Sequence, residues 1–375
     1  MNFYLSEEQR LLSSSARRLL ERAGLPGIIR NLQLSSAGGH SLDLWHQLVD
    51  LGWNGLAISE ENGGGGGSLL DLAALLEEAG RALLPRTFLT TTATGLVLER
   101  VGSQAQKSRL LKGLAHGSII VALVVAGRGG PIAGTESCLD ISWDRRPVLI
   151  TGGPVLVSHA SAANMFLVII RHGKDEPGSS GSTVALVPAQ EDAVVIEPIR
   201  GFGTEGLSMV SFNGAKISED LILERPHAGT EIASTVLQIV ASLMSVEMVG
   251  GAAAVLDRTV EYVKHRVQFG RPIGTFQAVQ HQIADCAIAV DGARYAAYQA
   301  VWRLDRHELA PLEASVAKVA AADAFKKATL TAHELHGGAG YVTDNDLYLF
   351  SERAQIDSLT LGSQDDHLAF LAGAT

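Results

Sequence analysis

The sequence predicts an α+β protein in three consecutive parts: an N-terminal helical domain (1–117), a small middle β-barrel or sandwich domain (118–228) and a C-terminal four-helix bundle (229–375). Two observations predict this. Apolar residues recur at helical spacing in the first and last parts, whereas the middle holds short β-branched runs separated by Gly, Pro, Asp and Ser. A chain of 375 residues that is 46% hydrophobic and 19% charged also has enough apolar side chain to bury a core without disulfide or metal staples.

In chain order, Ser6 followed by Gln9 predicts a capped first helix whose apolar stripe includes Leu11, Leu12, Leu19 and Leu20. Leu69 to Leu84 and Gln104 to His116 repeat apolar residues at helical spacing. Between them Gly63 to Gly67 reads as a flexible turn; it lacks the Lys-Ser/Thr of a phosphate loop and no strand precedes it. Ile119–Val125, Pro147–Thr151, Phe166–Ile170, Thr183–Val187 and Val194–Pro198 read as strands, and Lys174–Ser182 as a loop tip. After Gly229 four long helical segments follow, about 230–267, 275–306, 310–335 and 345–371, with small residues at Ala293–Ala300 allowing close packing.

Composition excludes several classes. A formal net charge of −10 and a pI near 5.6 argue against a nucleic-acid surface, which needs clustered Lys and Arg. Cys138 and Cys286 have neither CxxC spacing nor a His companion, so no metal site or disulfide is read from them, and both are expected to be buried small hydrophobes. The opening residues are acidic without an apolar segment, and Ile119–Ala126, the run that reads as most apolar, is far shorter than the roughly 20 residues a membrane span needs. A cytoplasmic protein without a membrane partner is expected.

Between the first two bundle segments stands Arg266-Val267-Gln268-Phe269-Gly270-Arg271-Pro272-Ile273-Gly274, followed by Phe276-Gln277-Ala278-Val279-Gln280-His281. A guanidinium there can grip a diphosphate bidentately while an aromatic ring offers apolar contact. The same spacing fits an Arg capping a helix C-terminus before a Gly-Pro turn. Near the end, Leu335-His336-Gly337-Gly338-Ala339-Gly340-Tyr341 supplies glycines that let a backbone approach phosphate or ribose. With Ser6-Glu7-Glu8-Gln9, Leu51-Gly52-Trp53 and Glu77-Glu78-Ala79-Gly80-Arg81, these stretches resemble the acyl-CoA dehydrogenase flavoprotein family over essentially the whole chain. The resemblance implies that family's α-β-α fold and FAD as cofactor. It assigns the nucleotide contacts to Arg266, Gln268, Phe269, Gly270, Phe276, Gln280, Glu334, Gly337 and Gly338, reaching FAD held mainly by a neighbouring subunit. Relatives usually carry Gln where this chain has Glu334, whose carboxylate would repel a diphosphate.

The family removes the proton α to the thioester with a Glu, as hydride leaves the β carbon for the flavin. Most members place it in Tyr-Glu-Gly-Thr before the last helix; here the matching residues are Thr360-Leu361-Gly362-Ser363, and Leu361 cannot take a proton. A smaller branch places it 26 residues before the motif arginine, which here is Val240. Glu247 remains, seven residues beyond Val240 on the same helix face, as either a relocated base or a structural acid paired with an Arg. Asp365 and Asp366 are expected to serve a helix N-terminus.

The flavin loop and Trp-bearing strand of active relatives are also missing. Ala126 to Gly134 and Gly153 to Ala160 stand in their places. The resemblance therefore implies a subunit that lends FAD contacts to a catalytic partner of the same family. That assembly would be a dimer or tetramer acting on an acyl-CoA in fatty-acid or steroid side-chain β-oxidation, with an electron-transfer flavoprotein as acceptor. The alternatives are a self-sufficient homo-oligomer using Glu247 or another acid, and a flavin-free acyl-CoA-binding or scaffold protein.

Overall fold

The computed structural model describes residues 5–34, 41–127, 139–172, 181–199, 206–225 and 231–374. Cys138, most of Lys174–Ser182, Gly229 and residues 128–134 of the Ala126 to Gly134 stretch lie outside them.

The N-terminal part is helical: α1 (Glu7–Ala23), α2 (Leu25–Leu34), α3 (Leu42–Asp50), α4 (Leu69–Arg81), α5 (Thr87–Val101) and α6 (Gln104–Ala115). The Ser6–Gln9 capping box is present, and Ser68 and Ser103 cap α4 and α6 the same way. Ala16 and Leu20 face the core, but Leu11 is 63% exposed, so the expected stripe is narrower than the sequence implied. The glycine run also differs from expectation. Backbone N–H groups of Gly64, Gly65, Gly66 and Gly67 donate to carbonyls of Ser59, Gly55, Ile58 and Leu56 at 2.8–3.0 Å. A Cβ on Gly64 would lie 2.2 Å from the Ile58 carbonyl oxygen, so the glycines are there for close backbone approach.

Two four-stranded sheets follow. One has the order β1 (Val121–Gly127), β4 (Met165–His172), β5 (Gly181–Pro188), β8 (Ile222–Glu224); the other β2 (Leu139–Ser142), β3 (Val148–Ser158), β7 (Leu207–Ile217), β6 (Val194–Pro198). Only β1 and β4 pair in parallel among these strands. The sheets meet through side chains such as Phe166 and Phe212, edge to face at 6.1 Å. The sequence reading missed β2, β7 and β8: β7 alternates buried Val and Phe with Ser and Asn, so it shows no β-branched run.

The C-terminal part comprises α7 (Glu231–His265), a short hairpin of β9 (Val267–Gln268) and β10 (Arg271–Pro272), then α8 (Gln277–Asp305), α9 (Pro311–His336), α10 (Leu347–Leu359) and α11 (Gln364–Ala374). The fourth expected segment, 345–371, is broken into α10 and α11. Leu361 and Gly362 adopt positive φ of 62° and 100°, which no helix accommodates. Ser363 and Asp366 then hydrogen-bond reciprocally and start α11, so Asp366 does serve a helix N-terminus. Among the described residues a much longer apolar stretch than Ile119–Ala126 lies on α7, within Ile232–His265, and its most apolar part is 94% buried inside the protein. Cys286 on α8 is buried, as expected.

α4 and α7 cross in backbone contact. A Cβ on Gly80 would lie 1.9 Å from the Glu247 carbonyl oxygen, and one on Gly250 1.9 Å from that of Glu77. This crossing presses the Glu247 turn of α7 against the N-terminal domain.

Candidate functional site

The β9–β10 hairpin is closed by Phe269 and Gly270, with φ of 55° and 77°. Positive φ at both central residues is what a type I′ turn requires. A glycine takes it freely, whereas a phenylalanine does so at a cost of about 1–2 kcal/mol. Phe269 is 91% exposed. It meets Phe276 edge-on at 6.1 Å, and the Arg271 guanidinium lies 4.1 Å from the Phe276 ring centre.

Arg266 joins this hairpin to α7. Its N–H donates to the Tyr262 carbonyl and its own carbonyl accepts from Ile273 N–H, both at 2.8 Å. Its side chain is exposed and, among the described residues, has no hydrogen-bond or ion-pair partner. The Gln280 side-chain amide braces the turn by donating to the Gly274 carbonyl at 3.0 Å, and that of Gln268 folds back onto the Val267 carbonyl at 2.8 Å.

The glycine motif caps α9. Gly337 has φ 57°, and a Cβ on Gly337 or Gly338 would meet nothing within 4 Å, so this backbone is open to a ligand. The His336 ring stacks on Tyr262 at 4.0 Å, and the Tyr262 hydroxyl donates to the His336 carbonyl at 3.3 Å. Because Tyr262 lies one helical turn before Arg266, the stack sets the two motifs side by side. Burial lowers His336 below its usual 6.5, and burial together with His336 lowers His333. Neutral rings add no positive charge beside Arg266. Glu334 is exposed and accepts from the Gln282 amide at 3.0 Å.

Glu247 is elsewhere, roughly 28 Å from Arg266 along α7 at 1.5 Å per residue. It is buried, accepts from Arg353 Nη1 at 3.1 Å, and its second oxygen lies 3.8 Å from Arg86 Nη2. Arg86 also ion-pairs with Asp357. It donates through Nη1 to Met244 Sδ at 2.7 Å and through its backbone to His159 Nε2 at 3.3 Å. Arg353 holds the carbonyls of Leu83 and Leu84 at 3.5 and 3.1 Å, fixing a turn in which Leu83 has φ 58°. Glu247 thus sits as the counter-ion of two arginines.

Leu361, at the usual seat of the base, is 7% exposed. Its turn is clamped by Lys318, which donates to the carbonyls of Ser358 and Gly362 at 3.4 and 3.3 Å. His367 lies 3.0 Å from the Leu361 carbonyl oxygen and 3.1 Å from Ser315 Oγ. Burial, with help from Arg86 and Lys326 and against Asp357, holds the Lys318 ammonium down from 10.5 to about 8. Val240, the second possible seat, is buried on α7. In the middle domain the strand at the place of the family's Trp-bearing segment exposes Pro154 and Leu156 and no aromatic.

Two family models match the chain: the acyl-CoA dehydrogenase N-terminal domain over residues 6–118 and the acyl-CoA dehydrogenase C-terminal domain over 227–374. Acyl-CoA dehydrogenase IpdE2 of Mycobacterium tuberculosis is 30% identical over 349 residues, covering 93% of this chain and 91% of that protein. The chain belongs to the acyl-CoA dehydrogenase family. Among solved structures it is similar to the ChsE4-ChsE5 complex from Mycobacterium tuberculosis, with a TM-score of 0.88 and 25% identity, covering 100% of this chain and 98% of that one. It is also similar to a variant of the Tcur3481-Tcur3483 steroid ACAD, with a TM-score of 0.86 and 26% identity, covering 98% and 97%.

The family is FAD-dependent, and this acyl-CoA dehydrogenase chain fits one end of that cofactor. Arg266, without a partner among the described residues, the Phe269 ring and the open Gly337–Gly338 backbone suit a diphosphate and its nucleoside. The exposed face of β3 carries Pro154 and Leu156 and no aromatic ring to stack on an isoalloxazine. Sequence reasoning missed Tyr262, Arg86, Arg353, Asp357 and Lys318. The signal available for the buried set was charge on otherwise apolar helices, notably Arg353 and Asp357 four residues apart on α10.

Proposed function

We propose that this chain is the FAD-lending subunit of a heteromeric acyl-CoA dehydrogenase that desaturates an acyl-CoA at the α,β bond. Its partner would be a second member of the family that carries the catalytic Glu. The observation that carries the reading is an exposed Arg266, without a partner among the described residues, beside a left-handed Phe269, in a chain whose base seats hold Leu361 and Val240. FAD, when bound, accepts the hydride from the β carbon. In this reading Arg266 grips the diphosphate, Phe269 covers the nucleoside, and Gly337 and Gly338 let the backbone reach it. The likeness to the ChsE4-ChsE5 complex, whose name gives two different chains, supports the two-chain arrangement. A cytoplasmic assembly delivering electrons to an electron-transfer flavoprotein completes the proposal.

The test is flavin content. The chain is purified alone, and again after co-expression with a family member from the same genome that retains Tyr-Glu-Gly-Thr. The first preparation should be nearly colourless. The second should carry FAD that bleaches on adding acyl-CoA. A chain that is yellow alone and is reduced by acyl-CoA would refute the lending role in favour of a self-sufficient enzyme, and one colourless with every such partner would refute it in favour of a flavin-free protein.

A further inference from the structure

The two parts of the proposed cofactor edge come from different helices. Arg266 follows α7, whereas Gly337 and Gly338 follow α9. Neither part fixes the other through its own side chains. That of Arg266 has no hydrogen-bond or ion-pair partner among the described residues, and a Cβ on either glycine would meet nothing within 4 Å. Tyr262 touches both parts. Its carbonyl accepts the Arg266 N–H at 2.8 Å. Its ring lies on the His336 ring, with centres 4.0 Å apart and planes inclined by 20°. Its hydroxyl donates at 3.3 Å to the His336 carbonyl, which belongs to the peptide leading into Gly337. His336 is itself held, since its Nδ1 lies 2.8 Å from the Ala332 carbonyl oxygen one turn back on α9.

The surrounding helices do not depend on this contact. One turn earlier on α7, Arg258 bonds Asp346 at 3.3 Å and lies 5.2 Å from the centre of the Phe350 ring. Beyond the glycine pair, the Asn345 amide donates to the Ala339 carbonyl at 3.0 Å, and the His333 ring lies 4.8 Å from that of Tyr341. Loss of the Tyr262 ring thus leaves α7, α9 and α10 joined and frees the spacing between the two binding parts. A nucleotide that spans both needs that spacing set beforehand, because ordering mobile groups on binding costs affinity. We infer that Tyr262 and His336 are positioning residues for the cofactor: their stack presets the distance between the guanidinium that takes the diphosphate and the backbone that takes the nucleoside. The inference rests on the proposed lending role and adds two residues that act through Arg266 and Gly337.

The experiment measures FAD affinity of the co-expressed assembly, stripped of flavin and titrated with FAD. Losing a charged hydrogen bond outright weakens binding roughly 10- to 150-fold, so Tyr262→Leu, which keeps Arg266 but unanchors it, should weaken binding about tenfold. Tyr262→Phe keeps the stack and gives up only a long hydroxyl bond, so it should stay within about threefold of the parent. The deciding comparison repeats Tyr262→Leu in an Arg266→Ala background. There it should add less than about threefold, because spacing to an absent guanidinium no longer matters. A tyrosine with a merely structural role would add its full factor in both backgrounds. Hydrogen exchange of the isolated chain gives a readout without flavin: Tyr262→Leu should speed exchange at 337–341 and leave α8 unchanged. Unaltered FAD affinity in Tyr262→Leu, an equal loss in both backgrounds, or unaltered exchange at 337–341 would each overturn the inference. Should Tyr262→Leu fail to fold, His336→Ala removes the other ring of the stack and is held to the same outcomes in the same two backgrounds. An unmodified assembly that takes up no FAD would overturn the lending role and this inference with it. An assembly that binds FAD and is indifferent to the stack would overturn the inference alone.

Discussion

The hairpin edge and the interior around Glu247 treat arginine in opposite ways. At the edge, Arg266 is exposed without a side-chain partner among the described residues, and Phe269 protrudes in a left-handed turn. In the interior, Arg86 and Arg353 are buried against two carboxylates, a thioether and two backbone carbonyls. A solvent-facing guanidinium that stabilises nothing in its own chain is available to a ligand or partner. A buried one is committed to the fold, because removing its counter-ion strands a charge in a poorly solvating medium. In the proposed reading the difference separates binding machinery from architecture within one protein.

That contrast can be broken at several points. Glu247→Gln should cost about 3–5 kcal/mol of stability, read as a lower urea midpoint, because two buried guanidiniums then share one carboxylate fewer. A change below about 1 kcal/mol would mean that Glu247 is not structural, and flavin reduction by the assembled Glu247→Gln protein would then show whether it is catalytic. Next comes the pH response of Lys318. The folded value of about 8 lies below the unfolded 10.5, so the unfolded chain holds the extra proton between them. Stability should therefore rise with pH over that window, by on the order of 3 kcal/mol relative to Lys318→Met, with no difference in slope below about pH 7.

At the hairpin edge the sign of the contrast reverses. Arg266→Ala should leave thermal unfolding of the isolated chain within about 0.5 kcal/mol of the parent. The same substitution should weaken FAD retention by the co-expressed assembly by about 1.5–3 kcal/mol, roughly 10- to 150-fold, as loss of a charged hydrogen bond does. Equal flavin retention would remove Arg266 from the cofactor site. The smallest effect is expected at Phe269→Asn. Asn tolerates the left-handed turn, so the isolated chain should gain about 0.5–1 kcal/mol while the assembly loses flavin. A loss of stability would show that the exposed ring is packed in the isolated protein.

Much of the hairpin edge was legible in the sequence because its chemistry is local. Arg266 through Gly274 form one turn, and the glycine pair following α9 declares its open backbone by composition. The capping boxes at Ser6 and the bundle helices were legible for the same reason: caps and periodicity depend on residues a few positions apart. What failed was also local in appearance. The five-glycine run gave no hint that Ser59, Gly55, Ile58 and Leu56 would hold it. The break at Leu361 was hidden because the clamp on that turn comes from Lys318, on a different helix.

The amino-acid order alone established the α-β-α succession, the family motifs and the absence of a carboxylate at both base seats, since each follows from neighbours in the chain or from a residue's identity. It left Glu247 undecided between base and structural acid. Only the tertiary structure decided its environment, because its partner Arg353 stands 106 residues away in sequence and Arg86 arrives from the N-terminal domain. A buried carboxylate's role is set by which charges the packed helices bring to it, and that distance information is not carried by local sequence.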